Sequence, residues 1–320
     1  MRCLITGING FVGSYLARAL IENGHEVWGT AQPGTSLECL DDICHCLKLL
    51  DTEITDPDSI SRTVNDSKPE RVFHLAAQSH VPTSWADPVG TFRINVEGTL
   101  HLLQAAANLR HPPHVLLVSS GDVYGSALNV KGTVKESSQL APLNPYAASK
   151  AAAEMVAFCI GSGRNLPIVT VRPFNHIGPG QSAAFVTADF ARQIARIEAG
   201  LQKPLMKVGD LTTRKDFTDV RDMVRAYIAA IEMCPPLQVF NICSGKSYSI
   251  KEVLEILLDI SGVDARVMQE KKRLRATRSS ATRVDSGAFR KITGWKPKIP
   301  LRQTLSDILD YWREKTGCER

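Results

Sequence analysis

Short apolar, β-branched runs alternate with longer helical stretches through the first half of the chain. Runs at 2–6, 26–30, 71–75, 114–119 and 167–172 predict strands. The intervening segments 11–23, 57–66, 88–109 and 144–161 carry helical periodicity. This strand–helix rhythm predicts a parallel sheet covered on both faces, with right-handed crossovers. Beyond residue 173 the rhythm loosens: Pro173, Gly178, Pro179 and Gly180 cluster, and helical patterns follow near 186–199, 219–233, 249–260 and 301–315. The expected division is an α/β domain over 1–173 and a smaller α/β lobe over 174–320, with chain crossovers between them.

The first strand runs directly into Gly7-Ile8-Asn9-Gly10-Phe11-Val12-Gly13 and then a helix. Gly7 permits the tight turn, Gly10 lets backbone approach a pyrophosphate, and Gly13 lets helix and strand pack closely. The helix N-terminus adds free N–H groups and a partial positive charge for the phosphates. Glycines in this strand–turn–helix setting predict a Rossmann-type, doubly wound dinucleotide-binding domain.

In Tyr146-Ala147-Ala148-Ser149-Lys150 the phenol and the amine sit four apart, on one helix face. A free phenol has a pKa of about 10. A neighbouring ammonium and the positive ring of an oxidised nicotinamide are expected to lower it by roughly 1–3 units. That would make Tyr146 a proton donor and acceptor near neutral pH. Val118-Ser119-Ser120-Gly121-Asp122-Val123-Tyr124-Gly125, at the end of the strand 114–119, offers a hydroxyl as the third member.

Composition narrows the class. The chain is 43% hydrophobic and 22% charged, as in ordinary globular enzymes. No apolar run approaches the roughly 20 residues that span a bilayer, and the start of the chain has no signal-peptide core, so no membrane association and a cytoplasmic location are expected. A net charge of +5 suits a small anion and argues against nucleic acid. The eight cysteines are expected to be reduced. Cys39, Cys44, His45 and Cys46 fit no common zinc spacing, so no metal is expected.

The G-x-x-G-x-x-G spacing and the Tyr-x-x-x-Lys pair resemble the extended short-chain dehydrogenase/reductase superfamily, the NAD-dependent epimerase/dehydratase group, over nearly the whole chain. The resemblance implies cofactor contacts at Gly7, Gly10, Phe11, Val12, Gly13, Glu53, Ile54, Leu75, Ala76, Ala77, Tyr146 and Lys150. It selects Ser120 over Ser119 as the catalytic hydroxyl, because the family hydroxyl lies four residues before the second tyrosine, Tyr124. It places Ser84 among the substrate contacts, and Asp122 where sugar-nucleotide dehydratases carry a catalytic glutamate. Asn95 falls where relatives carry a structural or proton-relay asparagine; an amide capping backbone reads equally well. The second strand ends in Ala31-Gln32-Pro33, without the acid that binds the ribose of NAD and without an arginine for a 2′-phosphate. Either NADP or NAD is implied, and the missing acid tips the expectation towards NADP.

Arg172-Pro173-Phe174-Asn175-His176-Ile177-Gly178-Pro179-Gly180-Gln181, extended by Phe185–Ile194, is similar to one branch, the GDP-4-keto-6-deoxy-D-mannose reductases. The branch implies diphosphate contacts at Asn175, at Arg214 or Lys215, and at Arg275. Relatives follow the last arginine with Pro and Asp; this chain has Ala276 and Arg278. The implied activity is NAD(P)H-dependent reduction of the C4 keto group of a nucleotide-diphosphate sugar. A 4-epimerase or 4,6-dehydratase with tightly held NAD shares these features, and a non-catalytic cofactor sensor would share the fold. The resemblance also implies a homodimer through a four-helix bundle of helices 88–109 and 144–161, with alanines at 147, 148, 151, 152 and 153 permitting close packing.

Overall fold

A computed structural model describes residues 1–129, 132–270 and 283–318. Seven strands form one sheet in the order Val239–Ile242, Ile168–Pro173, His114–Val118, Arg71–His74, Arg2–Thr6, Glu26–Ala31, Leu47–Asp51. Every neighbouring pair is parallel. The winding reverses between Arg2–Thr6 and Arg71–His74, and open α/β sheets bind ligands outside the strand ends at such a reversal. Two of the seven strands escape the sequence pattern, and both are edges. Leu47–Asp51 is half-buried and broken by Lys48, and Val239–Ile242 lies far along the chain, after the lobe helix Val186–Glu198 and the helix Val220–Met233.

The helices Phe11–Glu22, Val220–Met233 and Gly287–Thr293 cover one face, packing Leu16, Leu20, Met223 and Phe289 against Ile5 and Phe73. Pro57–Ser67, Gly98–Ala107 and Pro145–Arg164 cover the other, with Ile60, Leu102, Leu103 and Ala157 on Leu4 and Val115. The helix predicted over 88–109 runs without interruption from Pro88 to Ala107, with a π-turn at Arg93–Glu97 inside it, and a separate short helix, Val81–Ala86, precedes it. Pro88 starts a new helix capped by Asp87, whose Oδ1 accepts from Gly90 N at 2.8 Å. The π-turn is centred on Asn95.

The second lobe gathers Val186–Glu198, Ile250–Ser261 and Leu301–Gly317 around Phe190, Ile194, Leu254, Leu257 and Ile308. A small sheet of Asn175–Ile177, Arg214–Asp219 and Ser247–Ser249 joins it to the cleft. The chain crosses back after residue 174, since Val239–Ile242 is an edge of the main sheet and Val220–Met233 covers its face. All eight cysteines are unpaired. Among the described residues no His/Cys/Asp/Glu group is arranged to hold a metal, and no helix is long and apolar enough to cross a membrane.

Candidate active site

A cleft of about 1180 Å³ runs along the C-terminal ends of the main strands, from the glycine turn to the second lobe. Gly7 sits at φ +71°, and a Cβ there would lie 3.0 Å from Ala76 Cα. A Cβ on Gly13 would come within 2.3 Å of the Gly7 carbonyl. No side chain caps the helix Phe11–Glu22, so its first-turn N–H groups are left for a ligand. Backbone this close, with free amides beside it, fits a pyrophosphate.

Gln32, Thr35, Glu53 and Ile54 line the arm beyond the turn, and Leu75, Ala76 and Ala77 line its opposite wall. The Glu53 carboxylate accepts from Thr55 N at 3.1 Å, Thr55 Oγ1 at 2.8 Å and Gln32 Nε2 at 3.1 Å. The Thr55 amide leads in holding its pKa below the usual carboxylate range.

At the centre of the cleft the Tyr146 phenol and the Ser120 hydroxyl share a hydrogen bond. The two adjacent serines diverge: Ser119 Oγ donates to Glu154, while Ser120 Oγ accepts from Asp122 N at 3.1 Å. Lys150 lies one turn along the helix from Tyr146, 4% exposed. Burial brings its amine down to about 8, partly offset by Glu154. The phenol departs from the sequence expectation. Burial, with Asp122 adding to it, pushes Tyr146 up to about 12, and the Ser120 hydrogen bond offsets only part of this. Desolvation disfavours phenolate more than its neighbours favour it, so Tyr146 is a protonated donor throughout the neutral range.

Asn95 is a brace. Its Nδ2 donates to Gln78 O at 3.0 Å and Ser149 Oγ at 2.8 Å, and its Oδ1 accepts from Gln78 N at 2.8 Å. It ties the loop after Arg71–His74 to the helix that carries Tyr146 and Lys150. His74, which no sequence motif singles out, is buried beneath that loop between Thr6 and Thr99. Thr99 donates to Asn95 O and Thr6 accepts from Ala76 N. His74 Nε2 therefore donates to Thr99 while Nδ1 accepts from Thr6. Burial, reinforced by Lys150, brings the ring down to about 3 and keeps it neutral.

In the second-lobe arm Asn175 and Lys215 meet: Lys215 Nζ donates to Asn175 Oδ1 at 3.1 Å, and Asn175 Nδ2 donates to Asp216 O at 3.0 Å. Both line the cleft. Arg214 does not: on the alternate side of the strand, it pairs with Glu252 at 3.1 Å and donates to Ser247 O. Ser84 is corrected too. It is fully buried and its hydroxyl donates to Val81 O at 2.7 Å, so its role is to close a helical turn. Arg275 lies outside the described residues. The alanines expected to face a partner are also redistributed: Ala147, Ala151 and Ala153 are buried in their own chain. The same helix instead exposes Met155 and Phe158, and Val81–Ala86 and Pro88–Phe92 expose Trp85, Val89 and Phe92.

A family described as GDP-mannose 4,6 dehydratase matches residues 4–308. The chain is 37% identical over 318 residues to GDP-6-deoxy-D-mannose reductase of Pseudomonas aeruginosa, covering 99% of each. The solved structure of RMD from Pseudomonas aeruginosa complexed with NADPH is 36% identical, covering 98% of this chain and 99% of that one, with a TM-score of 0.84. UDP-glucose 4-epimerase from Thermotoga maritima, solved with UDP-glucose, is 28% identical, covering 99% of this chain and all of that one, with a TM-score of 0.89.

Proposed function

We propose that this chain, which belongs to the GDP-mannose 4,6-dehydratase family, reduces the C4 keto group of a nucleotide-diphosphate 4-keto-6-deoxy sugar. The preferred substrate is GDP-4-keto-6-deoxy-D-mannose and the preferred reductant NADPH over NADH. One observation carries the reading: the hydrogen-bonded hydroxyls of Tyr146 and Ser120, with Lys150 a turn away, lie between the phosphate turn and the Lys215–Asn175 pair. The cleft exceeds the roughly 300–1,000 Å³ of a single-ligand pocket, in keeping with a dinucleotide and a sugar nucleotide together. The reductase relative of P. aeruginosa supports the reaction, and the NADPH-bound neighbour supports the cofactor.

A bound NADPH supplies the hydride that adds to the C4 carbonyl carbon. Tyr146 gives its proton to the C4 oxygen as the carbonyl π pair moves onto it. Ser120 holds that oxygen against the phenol. The Lys150 ammonium stabilises the negative charge developing on Tyr146 and the oxygen. The amides of Phe11, Val12 and Gly13 hold the dinucleotide phosphates, and Lys215, set by Asn175, neutralises the sugar-nucleotide diphosphate. The experiment is loss of NADPH absorbance on addition of GDP-4-keto-6-deoxymannose; no turnover with any 4-keto sugar nucleotide would overturn the reading.

Asp122, beside Tyr146 in the cleft, favours a second reading, 4,6-dehydration or 4-epimerisation with recycled NAD. Purified protein carrying stoichiometric NAD would favour that alternative, and Asp122→Asn abolishing activity would specify dehydration. The eight unpaired cysteines support a reducing, cytoplasmic compartment. The exposed Trp85, Val89, Phe92, Met155 and Phe158 support a homodimer through a four-helix bundle. Light scattering on the wild type and on Phe158→Glu tests it: a monomeric wild type would rule it out.

A further inference from the structure

With its C4 oxygen held at Tyr146 and Ser120, a 4-keto-6-deoxy hexose presents two unlike edges beside the reacting carbon. C3 carries a hydroxyl, whereas C5 carries only the C6 methyl. One edge calls for polar partners and the other for an apolar wall.

Both kinds of lining meet at this end of the cleft. The loop after Arg71–His74 brings Ser79 and His80 to it. The segment after the serine turn brings Gly125 and Leu128, and the residues before the Tyr146 helix bring Leu143. Leu143 is 41% exposed, a large apolar side chain left uncovered inside the cleft. Two hydrogen bonds stitch these two segments together, Ala141 N donating to Val123 O at 3.1 Å and Ser126 N to Ala141 O at 3.0 Å. Gly125, at φ +46°, allows the approach, since a Cβ there would overlap the Ala141 carbonyl. Leu128 packs against the cluster of Val123 and Tyr124. On its other side Leu143 adjoins Asn144, which caps the helix Pro145–Arg164 by accepting from Ala147 N at 2.8 Å. The backbone of Leu143 is therefore held between the turn that carries Ser120 and the helix that carries Tyr146, the two groups that fix C4.

We propose that Leu143, with Leu128 on the same wall, covers the C5–C6 edge of the sugar and selects a 6-methyl over a 6-hydroxymethyl group. The inference rests on the reading that Tyr146 and Ser120 receive the C4 oxygen, and it names the part of the substrate that this wall reads. A hydroxyl laid against leucine gives up water and gains no partner. Asp122, on the serine turn and in the cleft, offers a 6-hydroxyl an acceptor, so the measured preference decides between the two side chains.

The test compares dissociation constants of GDP-6-deoxy-D-mannose, GDP-D-mannose and GDP for protein saturated with NADPH. Both sugars are already at the alcohol level, so the reduced cofactor reacts with neither. The wild type is expected to favour the 6-deoxy sugar by about ten- to a hundredfold. Leu143→Asn keeps the size of the side chain and adds an amide that can pair with the hydroxyl. It is expected to bind the two sugars within about threefold of each other, with affinity for GDP unchanged. A variant that keeps the wild-type preference, or that weakens GDP and both sugars alike, overturns the proposal. A wild type that binds the two sugars equally overturns this inference alone, and one that prefers GDP-D-mannose gives the edge to Asp122 and overturns it too. A wild type that binds neither sugar nor GDP overturns the substrate reading and this inference with it.

Discussion

Arg172 grips Glu154 in a buried two-pronged ion pair, Nε to Oε1 at 2.9 Å and Nη2 to Oε2 at 2.7 Å, one turn beyond Lys150. Ser119 donates to the same carboxylate, and Arg172 continues to Tyr124 OH at 2.8 Å, which donates to Asn241 Oδ1 at 2.7 Å. The chain of contacts locks the serine turn, the Tyr146–Lys150 helix and the edge strand together. Glu154→Gln leaves a buried guanidinium without its counter-charge and is expected to cost about 3–5 kcal/mol, read by chemical denaturation. Glu154 raises the Lys150 pKa, so removing its charge moves the Lys150 titration to lower pH.

Lys150 sets a pH limb for reduction. Its amine, at about 8, loses its charge as pH rises through that value. Tyr146, at about 12, stays protonated throughout. Reduction is therefore expected to slow above pH of about 8 with loss of one proton. In Lys150→Arg the limb is expected to vanish, because a guanidinium does not deprotonate in this range. Tyr146→Phe is expected to lower kcat by about a hundred- to ten-thousandfold. A limb that stays near 8 in Lys150→Arg would assign it to another group.

Much of the phosphate-binding half was legible because short-range pattern determines it. The glycine turn follows from φ and space at Gly7 and Gly13, and the Tyr146–Lys150 face follows from helical spacing. Environment was not legible. The i+4 step from Lys150 to Glu154 was visible in the sequence, but its partner Arg172 lies on a strand 18 residues away. The direction of the Tyr146 shift depends on how much protein covers the phenol, which neighbouring residue types do not reveal. Arg214 and Lys215 could not be separated without the pairing of Arg214–Asp219, which turns successive side chains to opposite sides. Ser84 failed for the same reason: a family position says nothing of which way a helix end is rolled.

Lys215 and Arg214 are expected to separate cleanly in kinetics. Lys215→Ala removes a cation from the cleft and should raise KM for the sugar nucleotide by about ten- to a hundredfold, with kcat little changed, as loss of uniform binding requires. Arg214→Ala should leave KM within about twofold and cost at most about 1 kcal/mol of stability, since its pair with Glu252 is more than a third exposed. Equal KM effects from both variants would mean that the diphosphate reaches across the strand.

Cofactor choice turns on Gln32, where the second strand of the main sheet ends. A neutral amide there neither repels a 2′-phosphate nor accepts from a free ribose 2′-OH as a carboxylate does. Gln32 is also committed, donating to Glu53 Oε2 at 3.1 Å. Gln32→Asp puts a negative charge at this end of the cleft, so NADPH is expected to weaken and NADH to strengthen. The ratio of kcat/KM for NADPH over NADH should fall by about tenfold or more. The ratio is the right measurement because the substitution also removes the bond to Glu53 and sets two carboxylates side by side. Any general loosening of the adenosine arm weakens both cofactors together and cancels, whereas repulsion of a phosphate acts on one alone. A ratio unchanged by Gln32→Asp would move the 2′ position away from this strand end.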